Sequence, residues 1–298
     1  MKIPIIFLGT GQAIPTAKRN HAAILIKYKQ ENILIDCGEG TQRQFRKAHQ
    51  SLSKITRLLI THWHGDHILG IPGLLQTLQL SKYQKTLKVY GPSGTSKFMS
   101  LMQKIFIHKG RIKIETKEVN SGKVFETNDL VVTSLPMKHQ SPCLAYSFIE
   151  KDKIRLKKDK IEALKLPGNL ISKLVKGKNI RYNNKTINVK KISYKQPGRK
   201  ITIIMDTAIN PNAAKIAKNS DLLISESTYS ESEKDLAEKY KHLTASQAAS
   251  IAKKAKVKRL ILTHLSQRYD KKDSSIFEEA RKIFKNTGVA EDLDKVEV

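Results

Sequence analysis

The stretch THWHGDH, residues 61–67, decides how the rest of this chain is read. It follows a short apolar run, so the polar loop stands at the end of a predicted buried strand. Side chains of an extended segment alternate with a period of two, and His62 and His64 therefore point to one side. Asp66 and His67 then turn towards the position of a second metal ion. This set of imidazole and carboxylate ligands is typical of zinc, with manganese as an alternative.

Length and composition narrow the class of protein. The chain has 298 residues, enough for one large domain or two small ones. No apolar run reaches the roughly eighteen residues of a membrane span, and the apolar N-terminal stretch is too short for a signal peptide. These features predict a cytoplasmic protein. The two cysteines, Cys37 and Cys143, are too few for a disulfide framework and are expected to be buried thiols.

The charge of the chain is strongly basic and unevenly distributed. A formal net charge of +28 implies a polyanionic partner, with nucleic acid first and an anionic membrane second. Residues 151–200 hold seventeen Lys or Arg against three Asp or Glu, a net of +14. Predicted helices over 158–166 and 170–175 indicate an ordered, protruding insertion. A Lys-rich solvated surface without a partner is the alternative.

The secondary-structure pattern predicts an α/β fold. Residues 3–8, 22–27 and 32–35 read as strands, with Glu31 and Asn32 in a hairpin turn, so the sheet is expected to start antiparallel. Strands and helices then alternate along the chain, which favours a layered sheet.

Three further candidate ligands each follow a predicted apolar strand: His139, Asp206 and His264. Sites in α/β folds gather at strand ends, so these residues are expected at the same sheet edge as the loop. Together the candidates suffice for two metal ions, with one carboxylate, most simply Asp206, bridging both. The seven candidate metal ligands are His62, His64, Asp66, His67, His139, Asp206 and His264.

Two residues near these ligands are expected to have other roles. His242 stands just before Thr244-Ala-Ser-Gln247, a capping box that opens a helix. The positive end of a helix dipole favours loss of the histidine's proton, which suits a proton donor, whereas a ring that merely packs on the helix is the alternative. Asp36 ends the third strand and is expected to hydrogen-bond the metal loop rather than bind metal.

The combined motifs resemble the ribonuclease Z family of tRNA 3′-processing endonucleases, in the metallo-β-lactamase superfamily, over nearly the whole chain. The motifs are FLGTG (7–11), DCGEG (36–40), the extended loop motif (62–75), SEST (225–228), His242, His264 with SQRY (266–269), and Pro167-Gly168. The resemblance implies a metallo-β-lactamase fold, a four-layer αββα sandwich, as one domain over residues 1–298. Residues 151–199 would be an inserted basic RNA-binding arm.

The resemblance also implies roles for individual residues and two Zn²⁺ per chain. One zinc would be held by His62, His64, His139 and Asp206, and the other by Asp66, His67, Asp206 and His264. Asp66 would orient the attacking water, and His242, supported by Glu226, would donate the proton.

The implied substrate is precursor tRNA, cut to leave a tRNA 3′-hydroxyl and a 5′-phosphate on the trailer. Candidate RNA contacts are Lys18, Arg19 and Asn20 near the active edge, with Pro167 and Gly168 in the arm. Ala17 replaces the first lysine of the family's Pro-x-Lys-x-Arg-Asn loop, which bears on how a 3′ CCA end is treated. The resemblance further implies a homodimer.

Two other functions are compatible with parts of this pattern. A hydrolase of small phosphodiesters, lactams or thioesters would keep the metals, but a small substrate does not need a segment of net charge +14. An RNA-binding paralogue with a purely structural site would be marked by the loss of a ligand, and none of the expected ligands is lost.

Overall fold

The protein is described by a computed structural model that covers residues 1–105, 112–164, 166–183, 185–270 and 273–298. In chain order, the strands are β1 (Pro4–Gly9), β2 (Ala23–Tyr28), β3 (Glu31–Ile35), β4 (Arg57–Leu59), β5 (Leu87–Gly91), β6 (Ile114–Glu118), β7 (Gly122–Glu126), β8 (Leu130–Met137), β9 (Cys143–Glu150), β10 (Lys153–Leu156), β11 (Ile180–Tyr182), β12 (Lys185–Ile187), β13 (Ser193–Gln196), β14 (Lys200–Ile204), β15 (Leu222–Glu226), β16 (Leu260–Thr263), β17 (Thr287–Val289) and β18 (Lys295–Glu297).

The helices lie mainly between these strands. They are α1 (Thr41–Lys47), α2 (Gly65–Ile68), α3 (Ile71–Leu80), α4 (Thr95–Ile105), α5 (Lys158–Leu164), α6 (Gly168–Val175), α7 (Val189–Ile192), α8 (Pro211–Ala217), α9 (Lys234–Tyr240), α10 (Ala245–Lys254) and α11 (Asp273–Ile283), with short 3₁₀ turns at Leu52–Lys54, Glu231–Glu233 and Gln267–Tyr269. Across the described ranges, no helix is both long and apolar enough to cross a membrane.

Two large mixed sheets form the body of the protein. The first has the order β18-β1-β2-β3-β4-β5-β6, and the second has the order β17-β16-β15-β14-β9-β8-β7. In the first sheet β1, β2 and β3 pair antiparallel, as expected, and β3 to β6 then pair parallel. In the second sheet β14 to β17 are parallel and β7, β8, β9 and β14 are antiparallel.

The core lies in three apolar layers, which confirms the four-layer αββα arrangement. In β1, Ile5 and Phe7 belong to the cluster shared by the two sheets, whereas Ile6 and Leu8 belong to the cluster under α1, α3 and α4. This follows from the period-two alternation of a strand buried on both faces. A third cluster packs α8, α10 and α11 on the second sheet. The sheet edge between these layers is free to carry polar loops.

The structure adds one strand that was not predicted and corrects one local prediction. Nearly every residue of β9, Cys143–Glu150, is buried, so the segment lacks the polar alternation that marks a half-exposed strand. Glu31 and Asn32 are not a turn but the start of β3, paired with Tyr28 and Lys27. The chain reverses just before them, with Lys29 in the left-handed region (φ 53°).

The basic segment is inserted between β9 and β14, which are hydrogen-bonded neighbours in the second sheet. Its described residues form two antiparallel strand pairs, β10 with β13 and β11 with β12, and the helices α5, α6 and α7. The segment has a hydrophobic cluster of its own, separate from the three apolar layers of the body. That cluster comprises the buried residues Leu166, Leu174, Ile180, Ile187, Val189 and Ile192.

Candidate metal centre

The ends of β4, β8, β14 and β16 deliver seven candidate ligands to one edge of the molecule. The loop after β4 and the short helix α2 provide four of them, and His139, Asp206 and His264 follow the other three strands. The structure brings all seven together as two groups of four that share Asp206, with ligand atoms within 4.8 Å of one another. The first group is His62, His64, His139 and Asp206; the second is Asp66, His67, Asp206 and His264.

The first group turns its ligand atoms inwards to one point. His139 Nε2 lies 3.2 Å from His64 Nδ1. Asp206 Oδ2 lies 3.6 Å from His62 Nε2 and 3.7 Å from His139 Nε2. Nitrogen and oxygen ligands about 2.0–2.2 Å from a tetrahedral zinc lie about 3.3–3.6 Å apart. The spacing therefore fits one metal ion.

The second group has the same spacing and faces the other oxygen of Asp206. Asp206 Oδ1 lies 3.1 Å from His264 Nε2 and 3.4 Å from His67 Nε2. These two histidine nitrogens are 3.2 Å apart, and Asp66 Oδ2 is 3.3 Å from each. Since each oxygen of Asp206 faces a different group, this carboxylate is placed to bridge two cations.

The chemistry of the donor set also fits cations. Burial and the neighbouring His67 lower the pKa of His62 well below its usual range. Burial is likewise the first cause that lowers the pKa of His64 and His139. Neutral imidazoles keep the nitrogen lone pair that a metal needs. His62 Nε2 is buried and has no hydrogen-bond partner among the described residues, as expected of an atom that binds a metal.

Carboxylates and carbonyls behind the ligands orient the rings. Asp36 Oδ2 accepts a hydrogen bond from His67 Nδ1 at 2.7 Å, and both Asp36 oxygens accept from Thr61. Asp36 therefore holds the loop, as its sequence position predicts. His139 Nδ1 donates to the Lys241 carbonyl at 3.0 Å. Such contacts leave the opposite ring nitrogen for the metal.

His242 lies beside the second group, paired with a buried carboxylate. Its Nδ1 is 3.2 Å from both oxygens of Glu226, which is fully buried. Burial alone would lower the pKa of His242, but the Glu226 and Asp206 carboxylates outweigh it and raise the pKa to about 9. The net shift of the pKa is thus opposite to the one expected from the helix dipole, although the capping box of α10 is present. The raised pKa favours the protonated ring of His242 in the metal-free protein.

Thr228 is the site residue whose role the sequence did not suggest. Its hydroxyl donates to Glu226 Oε2 at 2.6 Å and accepts from His264 Nδ1 at 3.0 Å. One hydroxyl therefore connects a ligand of the second group with the carboxylate that pairs with His242. Its position two residues after Glu226, just beyond a buried strand, was the available signal, but only the fold shows that His264 lies opposite.

A cavity of about 350 Å³ opens beside the cluster. His64, His139 and His242 form part of its wall, and Tyr229 and Tyr240 line it as well. The Tyr240 side chain is exposed. Aromatic rings at the mouth of a polar cleft suit the stacking of nucleic-acid bases.

In the loop after β1, the structure corrects the expected role of one residue, Arg19. Lys18 is exposed, and its Nζ donates to the Asp270 carbonyl at 3.3 Å. Arg19, in contrast, is buried, and its Nη1 donates to Thr10 Oγ1 and the Ala290 carbonyl, both at 2.7 Å. The expectation that Arg19 contacts phosphate is therefore corrected, because this guanidinium faces the protein interior.

The other candidate RNA contacts lie outside the cluster. Asn20 is half-buried, and its Nδ2 donates to the Glu39 carbonyl at 2.7 Å. Pro167 and Gly168 are exposed at the start of α6 in the basic segment. RNA contact by these residues remains a prediction.

Comparison with known proteins gives one matching family model and three similar proteins. Residues 3–176 match the family model described as Anti-Pycsar protein Apyc1. The chain is 42% identical to the ribonuclease Z of Methanothermobacter thermautotrophicus over 296 residues, which are 99% of this chain and 96% of that protein. The short form of human tRNase Z is 27% identical, with a TM-score of 0.71 over 98% of each chain. The metallo-β-lactamase fold protein YhfI of Bacillus subtilis, 18% identical with a TM-score of 0.74 over the whole of both chains, confirms the expected fold.

The Thr228 hydroxyl is predicted to support metal binding by the second group. Thr228→Val keeps the shape but removes the hydrogen bond to His264 Nδ1, so we expect one of two metal ions to bind about 10–100-fold more weakly. Competition with a chromophoric chelator measures this change. Thr228→Ser is the matched control and should bind like the wild type. Two equally tight ions in Thr228→Val would refute the role.

The raised pKa of His242 is predicted to depend on Glu226. In the metal-free protein, a ring titration followed by NMR should give a midpoint of about 9, and Glu226→Gln should move it down towards 6.5. Because the folded pKa lies above the unfolded one, this pair stabilises the metal-free fold below pH 6.5 and loses that contribution as pH rises through about 9. Glu162→Gln, an exposed change in the basic segment, is the control and should leave the midpoint in place. An unmoved midpoint in Glu226→Gln would contradict this account.

Proposed function

This chain belongs to the ribonuclease Z family, with residues 3–176 in the family named Anti-Pycsar protein Apyc1, and from that premise we propose how it acts. It is a metal-dependent endoribonuclease that removes the 3′ trailer from precursor tRNA. The observation that carries the mechanism is the pair of four-ligand groups sharing Asp206, beside a His242 ring paired with the buried Glu226 carboxylate.

The two groups hold one divalent cation each, and we propose zinc, with manganese as the alternative. Imidazole nitrogens and carboxylates at the observed spacing support this choice. Bound cations lower the pKa of water and neutralise charge on the phosphate oxygens.

The residues of the chain supply orientation and a proton. Asp66, which is buried, accepts a hydrogen bond from the attacking water and holds it in line with the scissile bond. His242 donates its proton to the departing 3′ oxygen, which leaves a tRNA 3′-hydroxyl and a trailer 5′-phosphate. Glu226 keeps His242 protonated and fixes its ring through the 3.2 Å contacts.

Residues 151–199 act as an RNA-binding arm on a single catalytic domain of residues 1–298. The net charge of +14 over 151–200 supports this role, as do the exposed lysines around the segment's own hydrophobic cluster. The arm contacts the tRNA body through backbone and shape rather than bases. Four further residues are candidate contacts with the tRNA: Lys18 and Asn20 near the metal edge, and Pro167 and Gly168 in the arm.

The setting of the enzyme is proposed from the same premise. We propose that it acts in the cytoplasm as a homodimer. Exposed Leu80, Phe98 and Leu101 on the helical layer of the first sheet support a contact between copies. The mass of the purified protein by sedimentation equilibrium tests this: a single-chain mass at micromolar concentration would reject the dimer.

Precursor tRNA carrying a 3′ trailer is predicted to be cut once, after the discriminator base. Asp66→Ala and a chelated sample should each lose cleavage, because the first lacks the orienting carboxylate and the second lacks the cations. Mapping both product ends checks the position and the 5′-phosphate. Glu115→Gln, an exposed change in β6 away from the arm and the metal ligands, serves as an active control. Tight binding of the RNA without cleavage would favour a binding protein, and hydrolysis of small diesters alone would favour a small-substrate hydrolase.

Deletion of residues 155–195 is predicted to weaken RNA binding and to flatten its dependence on salt. Each phosphate that a lysine or arginine neutralises adds about 0.7–0.9 to the slope of log affinity against log salt. Fluorescence anisotropy with labelled precursor at several salt concentrations measures the slope. Turnover of a small phosphodiester should persist. If it collapses as well, the segment supports the catalytic domain rather than the RNA.

A further inference from the structure

The buried carboxylate of Glu150 is hydrogen-bonded to both connections between the basic arm and the body, at Lys153 and Arg199. We call these two connections the roots of the arm. Glu150 ends β9, is 5% exposed, and accepts hydrogen bonds on both oxygens. Its Oε1 accepts from Tyr28 Oη at 2.8 Å and from Lys153 Nζ. Its Oε2 accepts from Arg199 Nε at 2.7 Å. Lys153 lies on the outgoing strand of the arm and Arg199 on the returning chain.

Further hydrogen bonds of Glu150 and Arg199 reinforce the link between the arm and the body. Glu150 N donates to the Arg199 carbonyl at 2.8 Å, and Arg199 Nη1 donates to the Val298 carbonyl at 2.6 Å. Tyr28 belongs to β2 in the first sheet, whereas Glu150 belongs to the second. The side chain of Glu150 therefore joins the two sheets and the two connections of the arm at one place.

The carboxylate is charged and strongly held. Burial alone would raise the pKa of Glu150, but hydrogen bonds from Arg199, Lys153 and Tyr28 outweigh it and lower the pKa to about 2. Removal of a buried, hydrogen-bonded charge leaves its partners unpaired, which costs far more than loss of a surface ion pair. The nearby Glu126 is such a surface residue, paired with Lys123 and Lys151 in solvent.

We propose that Glu150 is a positioning residue that sets the direction of the arm relative to the metal centre and so fixes where the tRNA is cut. This inference rests on the proposed function. The arm has its own hydrophobic cluster, so we treat it as one unit joined to the body at its two roots. A small rotation at the roots becomes a larger displacement at the far end, where the RNA body is held. The distance from that grip to the metal ions selects the scissile phosphate.

The test compares Glu150→Gln with the matched surface control Glu126→Gln. Glu150→Gln keeps the shape but loses the charge that holds Lys153 and Arg199. We expect its cuts to spread over neighbouring nucleotides and the apparent KM for precursor tRNA to rise about tenfold. Turnover of a small phosphodiester and the metal content should equal those of the wild type. Glu126→Gln should keep the single cut and the KM.

A second variant guards against a folding defect in Glu150→Gln. Lys153→Met removes only the outgoing contact and leaves the pair of Glu150 with Arg199 intact, so it should spread the cuts less. Hydrogen exchange of β10 and β13 should accelerate in both variants and not in Glu126→Gln.

The outcomes separate this inference from the function on which it rests. Failure of the wild type to cut precursor tRNA overturns the proposed function itself. A wild type that cuts once, with both Glu150→Gln and Lys153→Met cutting at the same single position and with unchanged KM, overturns the positioning role alone. A parallel fall in small-diester turnover also overturns it, because Glu150 would then support the catalytic domain.

Discussion

The arrangement depends on one buried carboxylate, Asp206, surrounded by imidazoles at 3.1–3.7 Å. Burial alone would raise its pKa, but the charges of His264 and His67 outweigh burial and hold the pKa well below its usual range. In the protein alone, a proton on His67 provides part of this compensation, since the neighbouring carboxylates outweigh burial and raise its pKa. Cations would replace that proton and satisfy the converging lone pairs at once. The polar edge is thus built around positive charge, which bound cations would supply in place of protons on the ligands.

The fold can gather these ligands because each follows a strand, either directly or in the loop and short helix after β4. The pairing of β14, β15 and β16 in parallel puts Asp206, Glu226 and His264 at one edge. The same holds for β3 and β4, which place Asp36 next to the metal loop. This local rule, applied to short apolar runs, is why the sequence alone could indicate the site. A pattern of strand ends needs no knowledge of distant contacts.

Features that depend on distant partners could not be predicted in this way. Arg19 follows an exposed lysine, but the Ala290 carbonyl, far along the chain, draws its guanidinium inside. Glu150 looks like an ordinary strand-end acid until Tyr28 and Arg199 are brought to it. The His242 pKa has the same cause: the local helix dipole is visible in the sequence, whereas Glu226 acts only through the fold. Where a distant charge and a local dipole disagree, the charge at 3.2 Å dominates.

Thr228 couples the orientation of His264 to the orientation of His242. Glu226 uses one oxygen to accept from the Thr207 amide at 2.7 Å and the other to accept from Thr228. Both oxygens face His242, so the ring cannot move without changing contacts that also hold His264. A metal ion that fixed His264 would therefore also restrict His242, the proposed proton donor. Orientation of the ligand and orientation of the donor are a single property of one buried carboxylate and one hydroxyl.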